Sequence, residues 1–245
     1  MNEPNGVSPS PTVSEIHRIS LGKRLGSVFA LVVVTLATLA MMVGAIFAMR
    51  QDFAVGCFSA AIAAACVYLV AYLWRDTRAK WMFRVEFGAQ GMTLRLPANR
   101  SLVHRPPAFE GVIAYADIVA IQTRLEAYRS IGMAAMQQVF AIKLRNGALV
   151  LLGEDRAQGT GLAESGMGRL GETLAVRAGI AITDLGMVEG KGGALMVAGA
   201  VPDPWDAPSL GQDAQARLWR RVVLTGWLPM LVFLATVVLG GLSGG

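Results

Sequence analysis

Charge is what this sequence has least of. Only 16% of its 245 residues are Asp, Glu, Lys or Arg, and 54% are hydrophobic, against roughly 25% charged in an average globular chain. Together with a mean hydropathy of +0.49, this excludes a disordered protein and argues against a wholly soluble one. Two cysteines and two histidines leave no material for a disulfide framework or a multi-ligand metal site. Cys57 and Cys66 lie nine positions apart on one apolar segment, so a single helix holds them too far apart to bond to each other. The net charge of +5 is modest, and its placement carries more information than its size.

What the chain has instead is long uncharged runs. Leu25–Met49, Phe53–Trp74 and Val222–Leu242 each contain more than about 20 residues without a charge, enough for a helix rising about 1.5 Å per residue to cross a hydrocarbon core of about 30 Å. Three transmembrane helices are expected. The first is not a cleaved signal peptide, because its apolar stretch exceeds the usual h-region. The Pro- and Ser-rich tail 1–24 reads as disordered, with 14–24 able to lie as a short helix on a membrane surface. Ala40, Gly44 and Ala48 on the first span face Gly56, Ala60 and Ala64 on the second in four-residue steps, a spacing that lets helices approach closely in lipid. No Asp, Glu, Lys, Arg or His lies within a span, which disfavours a transport path.

Positive charge sets the orientation. Arg18, Lys23 and Arg24 precede the first run, Arg75, Arg78, Lys80 and Arg84 follow the second, and Arg217, Arg220 and Arg221 precede the third. The turn between the first two holds Arg50 beside Asp52. The positive-inside rule then puts the N-terminus and the middle of the chain in the cytoplasm, and the C-terminus outside.

The middle reads as strands. Phe83-Arg84-Val85-Glu86-Phe87 and Met92-Thr93-Leu94-Arg95-Leu96 alternate apolar and polar around a Gly88–Gly91 turn, a hairpin signature. Further strands are expected at 111–115, 117–128, 139–145 and 148–152, with Asn146-Gly147 as a tight turn. An amphipathic helix follows through Leu162, Met167, Leu170, Leu174 and Val176, and a short apolar stretch over 180–185. Residues 186–216, rich in Gly and Pro, read as a linker, with 217–245 carrying the third span.

The order F-R-V-E-F, turn, M-T-L-R-L, then IAYADIVAIQTRLE, VFAIKLRNGALVLL and a closing helix resembles the bacterial pleckstrin-homology-like (PH-like) domains of small membrane proteins, which carry a membrane hairpin directly before the domain. The resemblance covers 81–185, supported by the hairpin at 25–74. It implies an α+β protein: three transmembrane helices plus a cytoplasmic antiparallel β domain over 80–185, closed by one helix, in a bacterial inner membrane.

Catalytic motifs are missing. Gly159-Thr160-Gly161 lacks the third glycine of a dinucleotide fingerprint, since position 164 is Glu164, and Gly190-Lys191 lacks both the upstream glycine and the Ser or Thr of a phosphate loop. No Gly-x-Ser-x-Gly occurs. His17 and His104 have no ligand spacing around them, so no cofactor or metal is expected. An enzyme would have to draw on Asp117, Glu126, Glu154 and Asp155. The basic residues are the better candidates: Arg75, Arg78, Lys80 and Arg84, interleaved with Trp74 and Trp81, and Arg95, Arg100 and Arg105 around a Pro-rich loop with His104. Such residues attract anionic headgroups or a partner. Nucleic acid is not expected, because the charge is juxtamembrane and does not stud a sheet face with aromatics. The expected role is a non-enzymatic scaffold or assembly factor contacting the lipid bilayer and a membrane-protein partner or a second copy of itself. A membrane-surface enzyme and an accessory transporter subunit are the alternatives.

Overall fold

The computed structural model describes residues 15–101, 103–130, 133–157, 166–193, 196–221 and 223–224. They form an α+β chain that divides into two units. One comprises the residues up to Asn99 together with Pro107–Tyr115, and the other Arg100–Pro106 together with Ala116 onward.

In the first unit, α1 (Leu21–Gln51) and α2 (Phe53–Met82) form a hairpin, and both are long and apolar enough to cross a membrane. The turn is a single residue. The Asp52 backbone N–H donates to the Ala48 carbonyl at 2.8 Å, closing α1, while its side chain accepts from the backbone N–H groups of Ala54 (2.8 Å) and Val55 (3.2 Å), opening α2. Asp is well suited to that double role, because its short carboxylate reaches the first free amides of the next helix. The buried residues of the hairpin are Ser27, Thr38 and Ala45 of α1 and Gly56, Ala63, Thr77 and Ala79 of α2. This corrects the expected stripe: Gly44 faces open space, whereas a Cβ on Gly56 would fall 2.2 Å from Met49 Cγ. The one-residue turn fixes which faces meet, and contacts recur at seven-residue steps, as in shallow helix crossings. The hydroxyls of Thr35 and Thr38 donate to the carbonyls of Leu31 and Val34, both at 2.7 Å, so neither is left unsatisfied in an apolar setting.

Both helices outrun the expected 25–74 bounds. α2 continues to Met82, so Arg75, Arg78 and Lys80 stand on its last two turns. The approach to α1 is not a surface helix. Glu15–His17 form β1, three residues before α1, and β1 pairs antiparallel with β2 (Arg84–Phe87), one residue after α2. The sheet continues through β3 (Gly91–Leu96) and β4 (Phe109–Ala114) in the order β1-β2-β3-β4, all antiparallel. Val85, Phe87, Met92, Leu94, Leu96 and Ile113 are its buried residues, following the period-two pattern of a half-covered sheet.

The second unit holds a five-stranded sheet in the order β7-β6-β5-β8-β9, from β5 (Ile118–Ser130), β6 (Met133–Leu144), β7 (Leu149–Ala157), β8 (Ile182–Gly193) and β9 (Met196–Val201). The β6–β7 turn is the expected Asn146-Gly147, with Gly147 at φ 83°. The helix α3 (Gly166–Ala178) buries Met167, Leu170 and Leu174. Both carboxylate oxygens of Asp155 cap its first turn, accepting from Gly166 (3.0 Å), Met167 (2.9 Å) and Gly168 (3.0 Å). Two expectations are corrected here. The sheet is mixed, because β5 and β8 run parallel, a pairing that needs a long crossover, here β6, β7 and α3. And 186–216 is no free linker: it contains most of β8 and all of β9, and 212–221 is helical. The third apolar run, apart from positions 223 and 224, lies outside the described residues, as do the tail 1–14 and Gly159-Thr160-Gly161.

Candidate functional site

One face of β5 presents Gln122, Arg124, Glu126 and Tyr128, since alternate residues of a strand share a side. Across the ladder, β6 sets Gln137 opposite Glu126, and Val139 and Ala141 opposite Arg124 and Gln122. An alternating polar face normally meets water. This one does not: Arg124 and Glu126 are 1% and 0% exposed.

Glu126 is the hub. Its Oε1 accepts from Arg124 Nε at 2.7 Å, and its Oε2 from the Tyr128 hydroxyl at 2.5 Å and Gln137 Nε2 at 2.9 Å. His104 Nε2 lies between the two oxygens, 2.8 and 2.9 Å away. A carboxylate has about four acceptor positions and donates nothing, so His104 presents an N–H here and the carboxylate is saturated. Burial alone would raise the pKa of Glu126. The bonds from His104 and Tyr128 and the Arg124 charge outweigh it and hold the carboxyl below its usual range. The same burial, with Glu126 adjacent, raises the Tyr128 hydroxyl and keeps it protonated.

Arg124 uses its remaining donors on a distant segment. Nη1 donates to the Pro204 carbonyl at 2.7 Å and Nη2 to the Asp203 carbonyl at 2.9 Å. The Trp205 ring lies 4.4 Å from the guanidinium carbon, a cation–π contact. Trp205 Nε1 donates to Gln122 Oε1 at 2.7 Å, and the ring packs against the Val139, Ala141 and Leu151 cluster. His104 meets it edge-on at 6.3 Å. Residues 203–205 are thus a strap laid over β5 and β6 and fastened by one arginine. The 100–104 stretch closes beside it: Arg100 Nε donates to the Leu151 carbonyl at 2.8 Å, and Ser101 Oγ bonds Glu154. On the opposite face, Ala127, Met136, Met187 and Leu218 pack together. Chemically the cluster is a fastener. It holds two chain segments to a sheet with charge-assisted bonds, and its carboxylate has no acceptor position left for a substrate proton.

The seven basic candidates divide between the two units, with Arg75, Arg78, Lys80, Arg84 and Arg95 in the first and Arg100 and Arg105 in the second. Lys80 pairs with Asp76 (2.6 Å), Arg84 with Glu86 (2.5 Å) and Arg95 with Glu110 (2.6 Å). Arg100 is half-buried, and burial lowers its guanidinium to about 10, so it serves the fold. Arg75, Arg78 and Arg105 are exposed. Of the acids considered for an enzyme, Glu126 is sealed, Glu154 is bonded by Ser101 and Asp155 caps α3. His104, Arg124, Tyr128 and Trp205 were not legible as one site. The available signal was the run Gln122, Arg124, Glu126 at alternate positions with Gln137 across the hairpin. Among the described residues, no group of three or more His, Cys, Asp or Glu side chains is placed to hold a metal ion. No family model, no curated protein and no solved structure matches the chain.

Proposed function

We propose that this chain is a non-enzymatic membrane scaffold or assembly factor. The hairpin α1–α2 anchors it in a bacterial inner membrane, with a third span at 222–242. The β domain faces the cytoplasm and contacts a membrane-protein partner at the bilayer surface. The observation that carries the reading is the state of Glu126. The most elaborate charge cluster of the domain is saturated and directed at holding the strap 203–205, so what this sheet builds is a rigid body, not a reactive cleft. Three further points support it. The apolar hairpin enters a sheet through Phe83 with no linker, which gives an anchored platform. The basic clusters at Arg18–Arg24, Arg75–Arg84 and Arg217–Arg221 favour the cytoplasmic placement. The strands β2 to β7, whose pairings with one another are all antiparallel, precede α3, the part of the element order that a PH-like relationship would share.

The test is isolation of the full chain from membranes in mild detergent after brief cross-linking, with identification of what accompanies it. A stoichiometric membrane-protein partner is the expected result. A chain that purifies alone, and that turns over a lipid or headgroup substrate, would overturn the scaffold reading.

A further inference from the structure

The last two turns of α2 carry a surface of unusual composition. With about 3.6 residues per turn, positions 74, 75, 78, 81 and 82 share one side of the helix. All five are exposed: Trp74 (59%), Arg75, Arg78, Trp81 (45%) and Met82. Elsewhere charged and aromatic side chains in this region are engaged, as with Lys80 on Asp76. Among the described residues, neither Arg75 nor Arg78 forms an ion pair.

α1 supplies a third cation. The helices are joined at this end by the Thr77 hydroxyl, which donates to the Ser27 carbonyl at 3.3 Å. That contact brings the first turn of α1 against the last turns of α2. Arg24 lies with its guanidinium carbon 4.5 Å from the centre of the Trp81 ring, and its Nε, screened from solvent, has no acceptor among the described residues. Trp81 is one turn from Arg78 on α2, so the stacking sets a third guanidinium beside the exposed arginines.

Depth fixes the kind of anion. From Phe53 to Trp74 the helix climbs about 32 Å, close to the thickness of a hydrocarbon core, so Trp74 falls at the upper edge of that core and Arg78 and Trp81 in the headgroup layer. Tryptophan favours that boundary, and arginine matches phosphate oxygens with its fork of N–H donors. We infer that Arg24, Arg75 and Arg78, framed by Trp74 and Trp81, form a binding site for the phosphate of an anionic phospholipid. The inference rests on the membrane placement proposed above and names the lipid chemistry at its surface. It does not depend on which protein the β domain contacts.

The full chain in neutral detergent is titrated with phosphatidylglycerol, with phosphatidylcholine and with inorganic phosphate, and bound lipid is counted by native mass spectrometry alongside a thermal melt. Phosphatidylglycerol should be retained and raise the melting temperature, and phosphatidylcholine and inorganic phosphate should not. Neutralising one cation removes about 1 kcal/mol near a surface, so Arg24→Gln and Arg78→Gln should each weaken retention roughly fivefold. Arg50→Gln, at the opposite end of the hairpin, should leave it unchanged. Equal retention of both lipids overturns the site, as does an Arg24→Gln, Arg78→Gln double variant that melts like the parent without lipid and still retains phosphatidylglycerol normally. An equal effect of inorganic phosphate would make it a general anion site and overturn the lipid assignment. Loss of the co-purifying partner in the parent protein, with lipid retention intact, would strike the scaffold reading alone.

Discussion

Replacing Glu126 by Gln tests whether the buried cluster is a fastener. The substitution preserves shape and removes one charge. Arg124, 1% exposed, loses the carboxylate that neutralises it, and the new amide turns an N–H₂ group toward at least one neighbour that is itself a donor, among His104, Tyr128 and Gln137. Breaking a buried ion pair by removing one partner costs about 3–5 kcal/mol. Gln keeps one acceptor, so the lower end, about 3 kcal/mol, is the expected loss. For a chain of this size each kcal/mol moves the melting temperature by about 2–4 °C, giving a drop of roughly 6–12 °C, read by intrinsic tryptophan fluorescence in detergent. The comparison variant is Glu110→Gln. It breaks an exposed pair with Arg95 at a similar distance (2.6 Å) and should cost under about 1 kcal/mol. The acid side supplies a second readout. The folded carboxyl of Glu126 is depressed from its ordinary value near 4.5. Its stabilisation is therefore complete above that value and is lost as pH falls through the depressed one. Glu126→Gln should flatten this part of the acid limb. If Glu126→Gln melts within about 2 °C of the parent while Glu110→Gln does the same, the cluster contributes no more than a surface pair and the reasoning fails.

Further outcomes follow from other parts of the chain. Gly56→Leu should lower the melting temperature sharply, since a Cβ there falls 2.2 Å from Met49 Cγ, whereas Gly44→Leu, facing open space, should leave it unchanged. Gly190→Ala places a Cβ 2.4 Å from Tyr128 Cε1 and 2.9 Å from the Val201 carbonyl oxygen, so a melt should show loss of at least about 1–3 kcal/mol from overpacking. Ending the chain at Leu185 cuts β8 after its fourth residue and removes the strap that satisfies Arg124; protease sensitivity of the β domain should rise relative to a chain ending at Arg221. Reporter fusions after Gln51 and after Gly245 should read as outside and one after Asn146 as inside; a cytoplasmic signal from the C-terminal fusion would refute the third span.

The sequence was most informative where burial follows a simple period. β2 and β3 alternate cleanly, Asn146-Gly147 marks the β6–β7 turn, and the two apolar helices announce themselves by length. The candidate site hid because period two separates the faces of a strand without saying which is covered. Gln122, Arg124 and Glu126 read as the wet side of β5. The cover is a strap about 80 positions downstream, and nothing local to β5 encodes it. β8 and β9 hid for a different reason. Gly186, Gly190, Gly192 and Gly193 give the composition of a loop. In the fold Gly190 is required by the close approach of Tyr128, so glycine there marks tight packing. The helical stripe was misplaced because small residues recur on more than one face of α1 and α2, and only the Asp52 turn selects the facing pair.

The short ladder between β1 and β2 constrains how the hairpin could sit in a bilayer. Its three register pairs, Glu15 with Phe87, Ile16 with Glu86 and His17 with Val85, join residues that flank the two helices on their outer ends. A hairpin that crossed a bilayer would keep those flanks together with both helices inserted in opposite senses, and not with one of them inserted alone. If one helix fails to insert, Glu15–His17 and Arg84–Phe87 are stranded on opposite leaflets and the ladder cannot form. The pairing therefore ties the placement of the helices to the sheet: β1 can join β2 only while the outer ends of α1 and α2 lie together.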